Sequence, residues 1–156
     1  MKIATGFSTD EDAIQACRAA YSQIAEHIDG APDLIYAAWS VVYDAEQILA
    51  ELRRLAPDAK LHSASTCLGG MTQEGFVSEG GRGLTLLAMS DPAGAYGVGG
   101  AEINASAREA ATEAILAALE DADRPGEIPT MVRLSASPGA EEAVIAGIED
   151  VLGQGV

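Results

Sequence analysis

Residues 34–65 read LIYAAWSVVYDAEQILAELRRLAPDAKLHSAS, and this stretch decides the fold. Leu34–Trp39 is a nearly continuous apolar run, as expected of a strand covered on both faces. Asp44 is placed to cap a helix, with Gln47 at its third position. Ile48, Leu49, Leu52 and Leu55 then recur at three- and four-residue steps, which predicts one buried helical stripe, and Pro57 closes it. Lys60–Ser65 reads as the next strand. Strand, helix, strand with short links predicts parallel strands joined by a right-handed crossover.

The same rhythm extends backwards. Lys2–Phe7 reads as a strand, and Ser8 with Glu11 fits a capping box. Ile14, Cys17, Tyr21, Ile24 and Ile28 form a helical stripe, which Asp29-Gly30-Ala31-Pro32 ends. Forward of residue 66 the rhythm changes. From Cys67 to Asn104 no helical period is visible and glycines punctuate short segments. Met71–Val77, Leu84–Ser90 and Ala95–Ile103 read as strands of an antiparallel meander, with a turn at Asp91-Pro92-Ala93-Gly94. Ser106 with Glu109 predicts the start of a long helix. After a polar linker, Thr130–Ser135 reads as a strand, and Ser137-Pro138 opens a last helix with proline at its first position, stopped at Gly153. The expected class is therefore α/β: a strand–helix–strand–helix–strand parallel part joined to an antiparallel meander, with helices packed on one mixed sheet.

The chain has 156 residues, enough for one self-sufficient core. Nine basic and 24 acidic residues give a net charge of −15, which argues against nucleic acid and anionic membrane as partners. The longest apolar run, Leu84–Met89, is strand length, far below a membrane span. The N-terminus turns acidic by Asp10 and lacks the apolar core of a signal peptide, so a cytoplasmic location is expected.

In an open α/β sheet, ligands bind outside the carboxyl ends of the parallel strands. That rule selects Ser8, Trp39 and Ser40, and the loop Ser65-Thr66-Cys67-Leu68-Gly69-Gly70, as ligand-binding candidates. The loop is small and rich in hydroxyls and glycine, so its backbone N–H groups could approach an anion such as a carboxylate. No catalytic set is expected. Cys67 lacks a base, because the five-residue spacing from His62 sends the two side chains to opposite strand faces, and His27 lies at the end of the first helix. Two histidines and two cysteines at 17, 27, 62 and 67 match no zinc spacing, so no metal site is expected. Gly97-Val98-Gly99-Gly100 lacks the lysine of a phosphate loop and reads as a bent strand. Asp10-Glu11-Asp12 and Glu141-Glu142 read as charges placed at the positive ends of helices.

From Ser63 to Gly83 the chain resembles the N-terminal half of the FIST family of bacterial sensory domains. The resemblance is carried by Ala56-Pro57, Leu61–Thr66, Leu68-Gly69-Gly70, Gly75-Phe76 and Gly83–Met89, preceded by the apolar strand and polar–aromatic turn of Leu34–Asp44. Two departures stand out. The family's Ser-Thr-Ala-Gly-Glu run is Ser65-Thr66-Cys67-Leu68-Gly69-Gly70 here, its acidic position lost or moved to Glu74. Residues 1–156 also correspond to a single FIST N-like domain, without the C-terminal half of the family module. The resemblance implies a sensory and signal-transduction input domain that binds a small molecule, with amino acids the proposed class, and that regulates a kinase or a cyclic-dinucleotide enzyme. Two other roles stay open: an assembly module that homodimerises in place of the missing half, and a haem-based gas sensor with His27 or His62 as axial ligand. The resident cofactor is left unassigned.

Overall fold

A computed structural model describes residues 1–155. The chain divides into two compact units, Met1–Gly94 and Ala95–Val156.

The first unit contains β1 (Lys2–Ser8), α1 (Ala13–Ala25), β2 (Leu34–Ser40), α2 (Ala45–Leu55), β3 (Lys60–Thr66), β4 (Gly70–Thr72), β5 (Gly75–Val77) and β6 (Leu84–Ser90). Its main sheet is mixed, with strand order β1-β6-β2-β3. β2 and β3 are parallel, Leu34 standing opposite Lys60 and Ser40 opposite Thr66. β6 runs antiparallel to both its neighbours, so β1 shares the direction of β2 and β3 but is separated from them by one strand. The α/β class and the mixed sheet are as the sequence predicts; the insertion of β6 between β1 and β2 is not visible in it.

The core lies on one face of this sheet. Ala16, Cys17, Ala20 and Ile24 of α1, with Ile48 and Leu52 of α2, pack against Ile35, Ala37, Trp39, Leu84, Leu86 and Ala88. These are alternate residues of β2 and β6, as strand geometry requires. One helix start in this unit differs from expectation. α1 is capped by Asp12, whose carboxylate accepts from the Gln15 N–H, and not by Ser8. The chain between β1 and α1 is instead a ladder of short turns: Ser8 Oγ accepts from the Asp10 N–H, and Asp10 Oδ1 from the Asp12 N–H. Asp44 caps α2 through the Gln47 N–H as expected. Met71–Val77 is not one strand but the β4–β5 hairpin, turning at Gln73-Glu74.

The second unit contains α3 (Ala107–Asp121) and α4 (Glu141–Leu152). Ser106 caps α3 through the Glu109 N–H. The two helices are joined by a bidentate Arg108–Asp150 ion pair and by Thr112 Oγ1 donating to the Gly147 carbonyl. α4 starts at Glu141 rather than at Pro138, because the Glu141 carboxylate takes the Gly139 N–H and closes a turn ahead of the helix. Ala95–Ile103 and Thr130–Ser135 join no strand ladder among the described residues. The first of them lies along α3 instead. A Cβ added at Gly97 or Gly99 would sit 1.9 or 2.0 Å from the Ala118 or Ala114 carbonyl oxygen, and the Val98 N–H goes to the Asp121 carboxylate. Two glycines thus trade sheet pairing for close approach to a helix.

Candidate functional site at the carboxyl end of the sheet

β1, β2 and β3 all end at one edge of the first unit, and the β5–β6 connection returns there. At this edge Ser8, Thr9, Asp10, Glu11, Glu79 and Arg82 line a shallow, widely open cleft of about 440 Å³. Arg82 Nη2 pairs with Glu11, and Thr9 Oγ1 donates to Glu79 Oε2 at 3.1 Å. The Arg82 Nε is buried without a hydrogen-bond partner among the described residues. Below the cleft, Tyr43 Oη donates to the Asp10 carbonyl at 2.5 Å, fixing the turn that carries three of the lining residues.

Of the residues selected from the sequence, Ser8 lines this cleft. Trp39 and Ser40 lie beside it in the interior, 4% and 0% exposed. Ser40 holds the edge together through its backbone: its N–H donates to the Gly83 carbonyl at 2.9 Å and its carbonyl accepts from the Tyr43 N–H. Its hydroxyl oxygen is buried without a hydrogen-bond partner among the described residues. Ser65 and Cys67 are exposed. Thr66 Oγ1 accepts from the Gly69 N–H at 3.1 Å and reaches the Trp39 and Gly69 carbonyls, which folds the 66–69 loop on itself. Gly69 and Gly70 are buried. A Cβ at Gly70 would meet Thr85 Oγ1 at 2.1 Å, so the hairpin can lie on β6 only with glycine there.

Thr9, Asp10, Glu11, Glu79 and Arg82 are the lining residues that sequence reasoning passed over. Asp10 and Glu11 read as helix-end charges, and Glu79 carries no signal in the sequence. Arg82 carried a signal of its own, as the lone base within the glycine-rich stretch from Cys67 to Asn104.

No family model matches the chain, and no curated protein matches it.

Chemically, the cleft offers one guanidinium, three carboxylates and two hydroxyls, in part bonded to one another through Arg82–Glu11 and Thr9–Glu79. Among the described residues, no group of three or more His, Cys, Asp or Glu is placed to hold a metal ion. The polar lining does not fit haem, and neither histidine belongs to it. His27 is exposed beyond α1, and His62 stacks edge-on against Tyr36 across β2 and β3, ring centroids 5.3 Å apart. The thiols differ sharply. Cys17 is buried in the core, where desolvation, helped by the Glu51 charge, pushes its thiol up to about 12. Cys67 faces solvent.

Proposed function

We propose that this chain is a FIST-like sensory input domain that binds a small polar molecule at the carboxyl end of its sheet. The observation that carries the reading is the cleft lined by Ser8, Thr9, Asp10, Glu11, Glu79 and Arg82, at the edge where open α/β sheets bind ligands. The resemblance from Ser63 to Gly83 supports it, because those residues form the end of β3, the β4–β5 hairpin and the connection that brings Arg82 to the cleft. Ligand occupancy would be signalled to a kinase or a cyclic-dinucleotide enzyme.

The test is a thermal-shift screen of the purified protein against amino acids and other small polar metabolites. A ligand at one hundred times its Kd adds about 2.7 kcal/mol of stability, a clear rise in Tm. Arg82→Gln is expected to abolish that rise while the unliganded protein still melts cooperatively. A panel without any shift, or a shift unchanged in Arg82→Gln, would overturn the reading.

A further inference from the structure

The guanidinium of Arg82 is only half used. The Nε and Nη2 groups of an arginine form one edge that can take both oxygens of a carboxylate at once. Arg54 and Arg108 show that edge complete: each sets Nε and Nη2 against the two oxygens of one carboxylate, Glu51 and Asp150 respectively. Arg82 donates from Nη2 to a single oxygen of Glu11, while its Nε is buried with no hydrogen-bond partner among the described residues.

The backbone that carries Arg82 is fixed. Glu79 and Arg82 exchange both backbone hydrogen bonds, at 2.8 and 2.9 Å, around Gly80-Gly81, whose φ angles of 57° and 79° make a tight two-residue turn. At the base of the turn the Gly83 carbonyl accepts from the Ser40 N–H. The guanidinium folds back on the turn, so that a Cβ added at Gly80 would meet Nη2 at 3.7 Å. Glu79 is engaged with Thr9 Oγ1 and does not take the idle Nε. The two sides of the Arg82–Glu11 pair are therefore unequal. A buried donor without an acceptor carries its full desolvation cost, whereas Glu11 is 82% exposed and loses little on release. We infer that Arg82 is the receptor for a carboxylate group of the ligand and that Glu11 is its built-in competitor: the incoming carboxylate displaces Glu11 and takes Nε and Nη2 together. Asp10 and Glu79 remain in the lining and disfavour a second anionic group, which selects a monocarboxylate over a phosphate. This inference rests on the reading of the cleft as the ligand site.

The experiment follows the Arg82 Nε–H and the Glu79 backbone N–H of the full chain by NMR during titration with sodium acetate, ionic strength being held constant with chloride. Inorganic phosphate is the second probe. Acetate is expected to shift both signals saturably and to bind more tightly than phosphate. E11Q should tighten acetate about two- to fivefold, the scale of an exposed ion pair. E74Q removes the same charge from the exposed β4–β5 turn without touching Arg82 and should leave the affinity unchanged. R82K keeps the charge but lacks the two-donor edge, so the Glu79 N–H should no longer respond; should R82K fail to fold, the E11Q and E74Q pair decides alone. Absence of a saturable shift, equal affinity in E11Q and wild type, equal tightening by E74Q, a full response in R82K, or a preference for phosphate would overturn the inference. Failure of the underlying reading looks different. A metabolite whose Tm rise is lost in Arg82→Gln, yet which binds E11Q and R82K as it binds wild type, keeps the cleft and removes the exchange. An acetate response that E11Q strengthens, with no metabolite raising Tm, keeps the exchange and removes the sensory role.

Discussion

Glu51 of α2 accepts a hydrogen bond from Arg18 Nε of α1 at 2.7 Å, and this contact clamps the two helices over the sheet. Arg54 closes on the same carboxylate from within α2, with Nη2 2.6 Å from Oε1. Glu51 is 6% exposed, so it is an interior anion held by two surface cations. Replacing it by glutamine removes the negative charge and one of the two acceptor oxygens that Arg18 and Arg54 share. We expect Glu51→Gln to cost about 1.5–3 kcal/mol, the usual range for a hydrogen bond to a charged group, read as a lower urea midpoint at pH 7.

The same carboxylate gives the fold an acid limit. Its hydrogen bonds with Arg54 outweigh desolvation, and with Arg18 they lower its pKa from 4.5 to about 2. A carboxylate whose folded pKa is depressed stabilises the fold fully above its unfolded pKa, and that stability is lost as pH falls through the folded value. Wild type should therefore lose its advantage over Glu51→Gln between about pH 4.5 and pH 2. Urea midpoints of the two proteins that stay equally far apart across that window would contradict this.

The two cysteines should differ in reactivity. Cys67 is exposed, whereas Cys17 is buried with its thiol pushed up to about 12. Since the thiolate is the reacting species, titration with a disulfide reagent at pH 8 should show one fast thiol in the native protein and two in denaturant. Cys67→Ser should remove the fast phase entirely.

Gly70→Ala is expected to destabilise the first unit by about 1–3 kcal/mol, the typical cost of overpacking. The added methyl would meet Thr85 Oγ1 at 2.1 Å and Cγ2 at 2.7 Å. Thr85→Ala removes both atoms and should recover part of the loss, so the double-mutant cycle should give a coupling energy of about 0.5–3 kcal/mol. Additive effects would mean that the hairpin does not rest on β6 at this point.

In the second unit, Gly99→Ala would place a methyl 2.0 Å from the Ala114 carbonyl oxygen. The extended segment would have to lift from α3, and the Val98 N–H would lose the Asp121 carboxylate. Hydrogen exchange of Val98 is the direct measurement, with protection expected to fall at least tenfold.

The order of strands and helices is legible because it is written locally. The stripe of Ile48 and Leu52 and the caps Asp44 and Ser106 can each be recognised within a few residues. The position of β6 is not local: its partners Lys2 and Leu34 lie at opposite ends of α1, and nothing in Leu84–Ser90 says which strands it will separate. The two extended segments of the second unit read as strands because alternation records a burial pattern and not a hydrogen-bond partner. The cleft was legible as a place, through the carboxyl-end rule, and in Ser8. Arg82 and Glu79 reach it by a connection whose path depends on the hairpin lying on Thr85, which no short motif encodes.

The insertion of β6 also orders events in time. Lys2 pairs with Ser90, and Trp39 with Leu84, so neither β1 nor the β6-facing edge of β2 has a partner until the ribosome has released residue 90. At about 5–20 residues per second of synthesis, β1 is made several seconds before the strand that pairs with it. For that interval the nascent chain carries two open strand edges that the mature sheet does not show, and its yield depends on how quickly one late strand arrives to close both.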